Sequence, residues 1–182
     1  MNICVYGAAS DAVHPAFLEA GRNLGLAMAK RGHRLVFGAG DTGLMGAVAR
    51  GIQTGGGEMT GVAPKFFQTP GMLYPHCTEL ILTETMRERK SIMEEKSEAI
   101  IMTPGGIGTL DEFFEILTLK QLGRHKKPIA VLNCRGYFDS LLSMLQNAVQ
   151  EGFLEEKCLS MFQVFENPER LLDYLEDTSA TD

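Results

Sequence analysis

The chain has 182 residues and a formal net charge of -6, with 45% hydrophobic and 22% charged residues. That suits one globular domain with a sizeable core. The acidic balance excludes a general basic footprint for nucleic acid, and no apolar run reaches membrane-spanning length.

Strands and helices alternate from the start. Residues 3–6 read as a strand running into a glycine turn at Gly7. This opening lacks the basic flank and long apolar stretch of a signal peptide. A helix is predicted at 15–30 and a strand at 34–37, then a helix at 44–53 and a strand at 58–62. The segment 63–77 holds three prolines and Gly71, and is expected either beside a ligand crevice or at a subunit contact. A strand at 78–82 and a helix at 84–96 follow. The pairs 99–102 with 110–122, and 129–132 with 137–151, continue the alternation. A strand at 163–165 and a helix at 168–176 close a single domain, 1–176, leaving 177–182 as a solvated tail. The order implies an α/β fold: one Rossmann-like, doubly wound parallel sheet with helices on both faces.

Two glycine loops stand between strand and helix. Gly38-Ala39-Gly40-Asp41-Thr42-Gly43 fits Gly-x-Gly-x-x-Gly in that context. A dinucleotide site also needs an acid at the end of the next strand, to hold a ribose hydroxyl. That strand ends Gly61-Val62-Ala63-Pro64, with none. Tight strand–helix packing and a mononucleotide or sugar-phosphate contact remain as its roles. The second loop, Pro104-Gly105-Gly106-Ile107-Gly108-Thr109, has no Lys-Ser or Lys-Thr after its glycines, which argues against kinase and NTPase chemistry. Its glycines let backbone N–H groups approach an anion, and the following helix adds its positive dipole end.

Glu112 has two readings. Thr109-x-x-Glu112 spells a capping box, in which Glu112 reaches back to the Thr109 N–H. Against this, Asp111 and Glu115 crowd more acid into the same region than a helix dipole needs. Either a phosphate rests on the glycine amides clear of these side chains, or a cation offsets them. The cluster Met86-Arg87-Glu88-Arg89-Lys90 supplies cations, with Met86, Lys90 and Met93 on one helical face and Arg89 at its edge. Basic groups flanked by methionines fit a half-buried anion or purine site, and an arginine fork suits phosphate. Nothing near Lys90 suggests a pyridoxal site. His14, His33, His76 and His125 lack metal-ligand spacing, so no metal is expected. Cys4, Cys77, Cys134 and Cys158 are scattered and read as thiols of a reducing cytoplasm.

Pro104-Gly105-Gly106-Ile107-Gly108-Thr109-Leu110-Asp111-Glu112 matches the signature Pro-Gly-Gly-x-Gly-Thr-x-x-Glu, and Met86-x-Glu88-Arg89-Lys90 matches a second motif in the right order. With Gly38–Gly46, ending Gly-Leu-Met-Gly, these segments resemble the LONELY GUY family of cytokinin riboside 5′-monophosphate phosphoribohydrolases, long labelled lysine decarboxylases. The resemblance runs from about Ile3 to Leu175. It implies a Rossmann-like homodimer that hydrolyses the N-glycosidic bond of a nucleoside 5′-monophosphate without a cofactor, releasing the base and ribose 5-phosphate. It further implies Arg89 and Glu112 as the catalytic pair and Gly105, Gly106, Gly108 and Thr109 as the phosphate grip. Met86, Lys90, Gly7, Ser10 and Gly40 are the other expected contacts to the nucleotide. Many members have Cys-Gly-Ser-Ser after the first strand, where this chain has Tyr6-Gly7-Ala8-Ala9, leaving Ser10 as the nearby hydroxyl. The competing expectation is a carrier of a nucleotide or a molybdenum-cofactor-like ligand that leaves it intact.

Overall fold

Residues 1–179 are described by a computed structural model. Its strands are β1 (Asn2–Tyr6), β2 (Arg34–Phe37), β3 (Met59–Pro64), β4 (Glu79–Thr83), β5 (Ala99–Met102), β6 (Ile129–Leu132) and β7 (Gln163–Phe165). All seven pair in parallel in the order β4-β3-β2-β1-β5-β6-β7. The helices are α1 (Pro15–Lys30), α2 (Gly43–Thr54), α3 (Met86–Glu95), α4 (Ile107–Gln121), α5 (Asp139–Gln150) and α6 (Pro168–Ser179).

The central strands are short apolar runs because both of their faces are covered. Side chains alternate across the pleat, so each strand feeds two cores. Ile3, Val5, Leu35, Phe37 and Ile101 pack beneath Leu24 and Met28 of α1, Val48 and Ile52 of α2, and Leu171, Leu172 and Leu175 of α6. Cys4, Tyr6, Val36, Ile100 and Met102 pack on the other side with Met93 of α3, Phe113, Ile116 and Leu117 of α4, and Leu145 of α5. Helices α1 and α2 cross in close contact: a Cβ on Gly25 would lie 2.1 Å from the Val48 carbonyl oxygen.

The chain lays β2, β3 and β4 successively on one side of β1, then returns through α3 to place β5 on the other. This reversal opens a crevice beyond the carboxyl ends of β1 and β5, where ligands bind in such sheets. The segments leaving these two strands are stitched together there. Thr103 donates from its backbone N–H and its hydroxyl to the Tyr6 carbonyl, at 2.9 and 2.8 Å, and the Ala8 N–H donates to the Pro104 carbonyl at 3.1 Å.

Several boundaries differ from the sequence reading. The helix expected from residue 110 begins at Ile107, and β3 runs on to Pro64. The last helix extends to Ser179, so Asp177–Ser179 of the expected tail is helical, and 180–182 lie outside the described residues. The irregular 63–77 segment folds back on the 38–43 loop at the crevice. The Asp41 N–H donates to the Met72 carbonyl at 3.0 Å and the Tyr74 N–H to the Ala39 carbonyl at 2.8 Å.

Candidate active site

Helix α3 starts with a true capping arrangement that the sequence reading overlooked at Thr85-x-x-Glu88. The Glu88 N–H donates to the Thr85 hydroxyl at 3.1 Å, and the Glu88 carboxylate accepts from the Glu84 N–H at 2.8 Å. Fixing this start aims Arg89, one turn in, back over the sheet. Arg89 lies under the helix, not at the edge of its face, and is only 5% exposed. Its Nε donates to the Val62 carbonyl of β3 at 3.1 Å, and its Nη1 donates to Oε1 of Glu112 at 2.6 Å. The path of this guanidinium explains the first glycine of the 38–43 loop: a Cβ on Gly38 would sit 1.8 Å from Nη2 of Arg89.

The capping-box reading of Thr109 and Glu112 does not hold. The N-cap of α4 is Gly106, so Thr109 is the third helical residue and Glu112 sits in the second turn, bonded to Arg89. Burial pushes the Glu112 carboxyl above the usual carboxylate range, with the Arg89 guanidinium pulling against it. Tyr6 is buried nearby, and burial raises its hydroxyl well above the ordinary tyrosine range, so it stays protonated.

The starts of the two glycine-loop helices differ. At α2, the Gly43 N–H is taken by the Asp11 carboxylate at 2.8 Å. At α4, the N-cap is a glycine and provides no side-chain acceptor. A Cβ on Gly106 or Gly108 would meet open space within 4 Å, so protein packing does not require glycine there. Bare glycines at a helix start leave its amides accessible to an anion.

These pieces surround a cleft of about 390 Å³. Of the residues expected from sequence, Gly7, Ser10, Met86, Arg89, Gly106, Gly108, Thr109 and Glu112 line it. Three stand elsewhere. The Lys90 ammonium is held on the outer flank of α4 by Asp111 at 3.0 Å and by Glu115. Burial works against its charge, but these carboxylates outweigh it and raise its pKa. Gly40 sits behind the cleft wall, where a Cβ would lie 2.7 Å from the Met45 methyl carbon. Gly105 faces an adjoining hollow, where its carbonyl accepts from the Tyr137 hydroxyl at 2.8 Å. The cation needed to offset three carboxylates is thus divided: Arg89 serves Glu112, and Lys90 serves Asp111 and Glu115.

Sequence reasoning did not nominate Phe67, Met45, Ala8 or Ala9 as cleft residues. Met45 lay within the Gly-Leu-Met-Gly segment and could have been nominated. Phe67 belongs to the 63–77 segment, for which a place beside a ligand crevice was one of two expectations, but nothing in the sequence singled out this residue.

The chain is similar to known proteins over most of its length. The family model described as "Possible lysine decarboxylase" matches residues 45–175. A cytokinin riboside 5′-monophosphate phosphoribohydrolase of Mycobacterium tuberculosis (strain ATCC 25618 / H37Rv) is 41% identical over 91% of this chain and 88% of its own length. An enzyme of that name from Arabidopsis thaliana is 36% identical over 97% of this chain and 81% of its own. This chain belongs to the LONELY GUY family. A probable member from Oryza sativa subsp. japonica is 36% identical over 96% of this chain and 82% of its own length. Among solved structures, the molybdenum cofactor carrier protein of Chlamydomonas reinhardtii superposes with a TM-score of 0.74, covering 98% of both chains, at 20% identity. That likeness shows the fold alone. The family's Pro-Gly-Gly-x-Gly-Thr-x-x-Glu segment is the stretch that here forms the β5–α4 turn and carries Glu112 into the cleft.

Proposed function

We propose that this chain hydrolyses the N-glycosidic bond of a nucleoside 5′-monophosphate, such as a cytokinin riboside 5′-monophosphate or AMP, to the free base and ribose 5-phosphate. The observation that carries this reading is the buried Arg89–Glu112 pair, joined at 2.6 Å and opening into the same cleft as the bare start of α4. The relatives named above support it, since two carry that activity in their names without qualification.

The chemistry follows from the arrangement. The phosphate rests on the backbone amides of the α4 start, with the Ser10 hydroxyl beside it. Glu112 lies in the next turn, within reach of the sugar. Breaking the bond from the anomeric carbon to the base builds positive charge on that carbon and on the ring oxygen. An ionised Glu112 stabilises that charge and orients the attacking water. Water oxygen bonds to the anomeric carbon and its proton passes to Glu112. The electron pair of the broken bond leaves with the base nitrogen, which is protonated in turn. Arg89 offsets the cost of burying the carboxylate and fixes its direction.

The working unit in this proposal is a homodimer. It is supported by apolar Met86 and Ile107 at the cleft and the α4 start, 38% and 84% exposed, respectively. Sedimentation of the purified chain at twice the monomer mass is the expected result, and a monomer at micromolar concentration would contradict it. A cytoplasmic location is supported by the four free cysteines among the described residues.

The test is chromatography after incubating the protein with AMP and with isopentenyladenosine 5′-monophosphate. Free base with ribose 5-phosphate is expected, and the faster substrate defines the class. Both nucleotides surviving intact, or staying bound stoichiometrically and unreacted, would replace this reading with a carrier.

A further inference from the structure

We infer that Phe67 is the residue that grips the base, stacking on its flat face; this rests on the nucleotide reading above and deepens it. A nucleoside monophosphate has an anionic end, a sugar and a flat aromatic end. The α4 start and Ser10 account for the first, and Arg89 with Glu112 for the second. Of the lining left over, which includes the acid Asp111, the large apolar side chains are Phe67, Met45 and Met86. Phe67 is the aromatic residue among them.

Its ring is held in place before any ligand arrives. Phe67 ends a short 3-10 turn, Lys65–Phe67, that follows directly from β3. The Phe66 ring stands edge-on to it, with centroids 4.9 Å apart and planes at 77°. The turn is closed by the Gln68 N–H donating to the Lys65 carbonyl at 3.0 Å, and the Phe67 carbonyl accepts from the Thr69 N–H at 2.8 Å. Lys65 also pairs with Glu84, just before α3. The same strand accepts the Arg89 Nε at Val62, five positions before Phe67. Strand β3 therefore sets the spacing between the reacting pair and the aromatic ring.

Phe67 is partly buried and lines the cleft together with Arg89 and Glu112. Stacking on an aromatic side chain tolerates any base, since each has a π face. Phe67 thus supplies affinity for the base without choosing among exocyclic substituents.

The test uses the Glu112→Gln protein, so that ligand binds without turning over. AMP and ribose 5-phosphate are titrated calorimetrically into it, and into versions also carrying Phe67→Ala or Phe67→Trp. Phe67→Ala is expected to weaken AMP by about five- to a hundredfold. Ribose 5-phosphate, which lacks the base, should change less than about twofold, and Phe67→Trp should restore AMP binding. Unchanged AMP affinity, or equal weakening of both ligands, overturns the assignment. Failure of Glu112→Gln itself to bind either ligand, with no hydrolysis by the wild type, would remove the nucleotide reading and this inference together.

Discussion

Arg89 and Glu112 show how one buried ion pair answers two demands. Nearly complete burial makes the carboxylate costly to ionise, and the arginine at 2.6 Å returns part of that cost. Because the Glu112 pKa lies above the ordinary glutamate range, the carboxyl keeps its proton to higher pH than a free one. If the ionised form acts, kcat/KM should fall on acidification through a limb above about 4.3, the value for an unperturbed glutamate. Arg89→Met removes the opposing cation and should move that limb higher still; a limb at or below the ordinary value in the wild type would contradict the assignment. The same shift means the folded chain holds this proton more tightly than the unfolded one. Glu112's contribution to stability is therefore present at low pH and lost as pH rises through its folded pKa. The motif singled out Glu112 and the family resemblance paired it with Arg89, but the direct 2.6 Å bond between them was not legible from spacing. Spacing alone allowed a bond to the Thr109 amide, and only the helix start at Ile107 carries Glu112 past capping distance. Spacing was equally silent on the partners of Lys90: its neighbour in sequence turns inward, while its own ammonium meets carboxylates on another helix.

At the scale of elements, the two glycine loops divide their labour. The β5–α4 turn meets the cleft directly, whereas the β2–α2 loop acts from behind it. Gly38 makes room for Arg89, and Gly43 approaches the 8–10 segment so closely that a Cβ would lie 2.3 Å from the Ala8 carbonyl oxygen. The Gly-x-Gly-x-x-Gly pattern was visible, but its packing partners come from distant parts of the chain. Gly38→Ala is expected to displace the guanidinium and lower kcat/KM by at least about a hundredfold, the low end for removing an acid–base group, while the far-ultraviolet circular dichroism remains native. Near-normal activity would show that Arg89 can be reseated. The strands and helices themselves were readable because strict alternation and short apolar runs leave few other folds. For the 63–77 loop only a place beside a crevice or at a subunit contact could be expected, since its detailed course is set by contacts with the 38–43 loop.

For the whole molecule, the reversal of strand order at β1 and β5 places the cleft at one end of the sheet, while α6 closes the core well away from it. Leu171, Leu172 and Leu175 of α6 are fully buried against the sheet. Leu172→Ala should cost about 2–5 kcal/mol in denaturant unfolding, as core truncations do. Activity per folded molecule should be unchanged, and a matching loss of kcat would show that α6 supports the site. The exposed Met86 and Ile107 near the cleft belong to this scale as well, since the proposed homodimer rests on them. The measurement that bears most directly on the central claim is adenine released from a hundredfold molar excess of AMP by wild type and by Glu112→Gln. Many equivalents of adenine and ribose 5-phosphate per wild-type chain, with at least about a hundredfold less from a variant that still binds AMP, is the expected result. Equal release by both proteins, or intact AMP with both, would contradict hydrolysis by the Arg89–Glu112 pair.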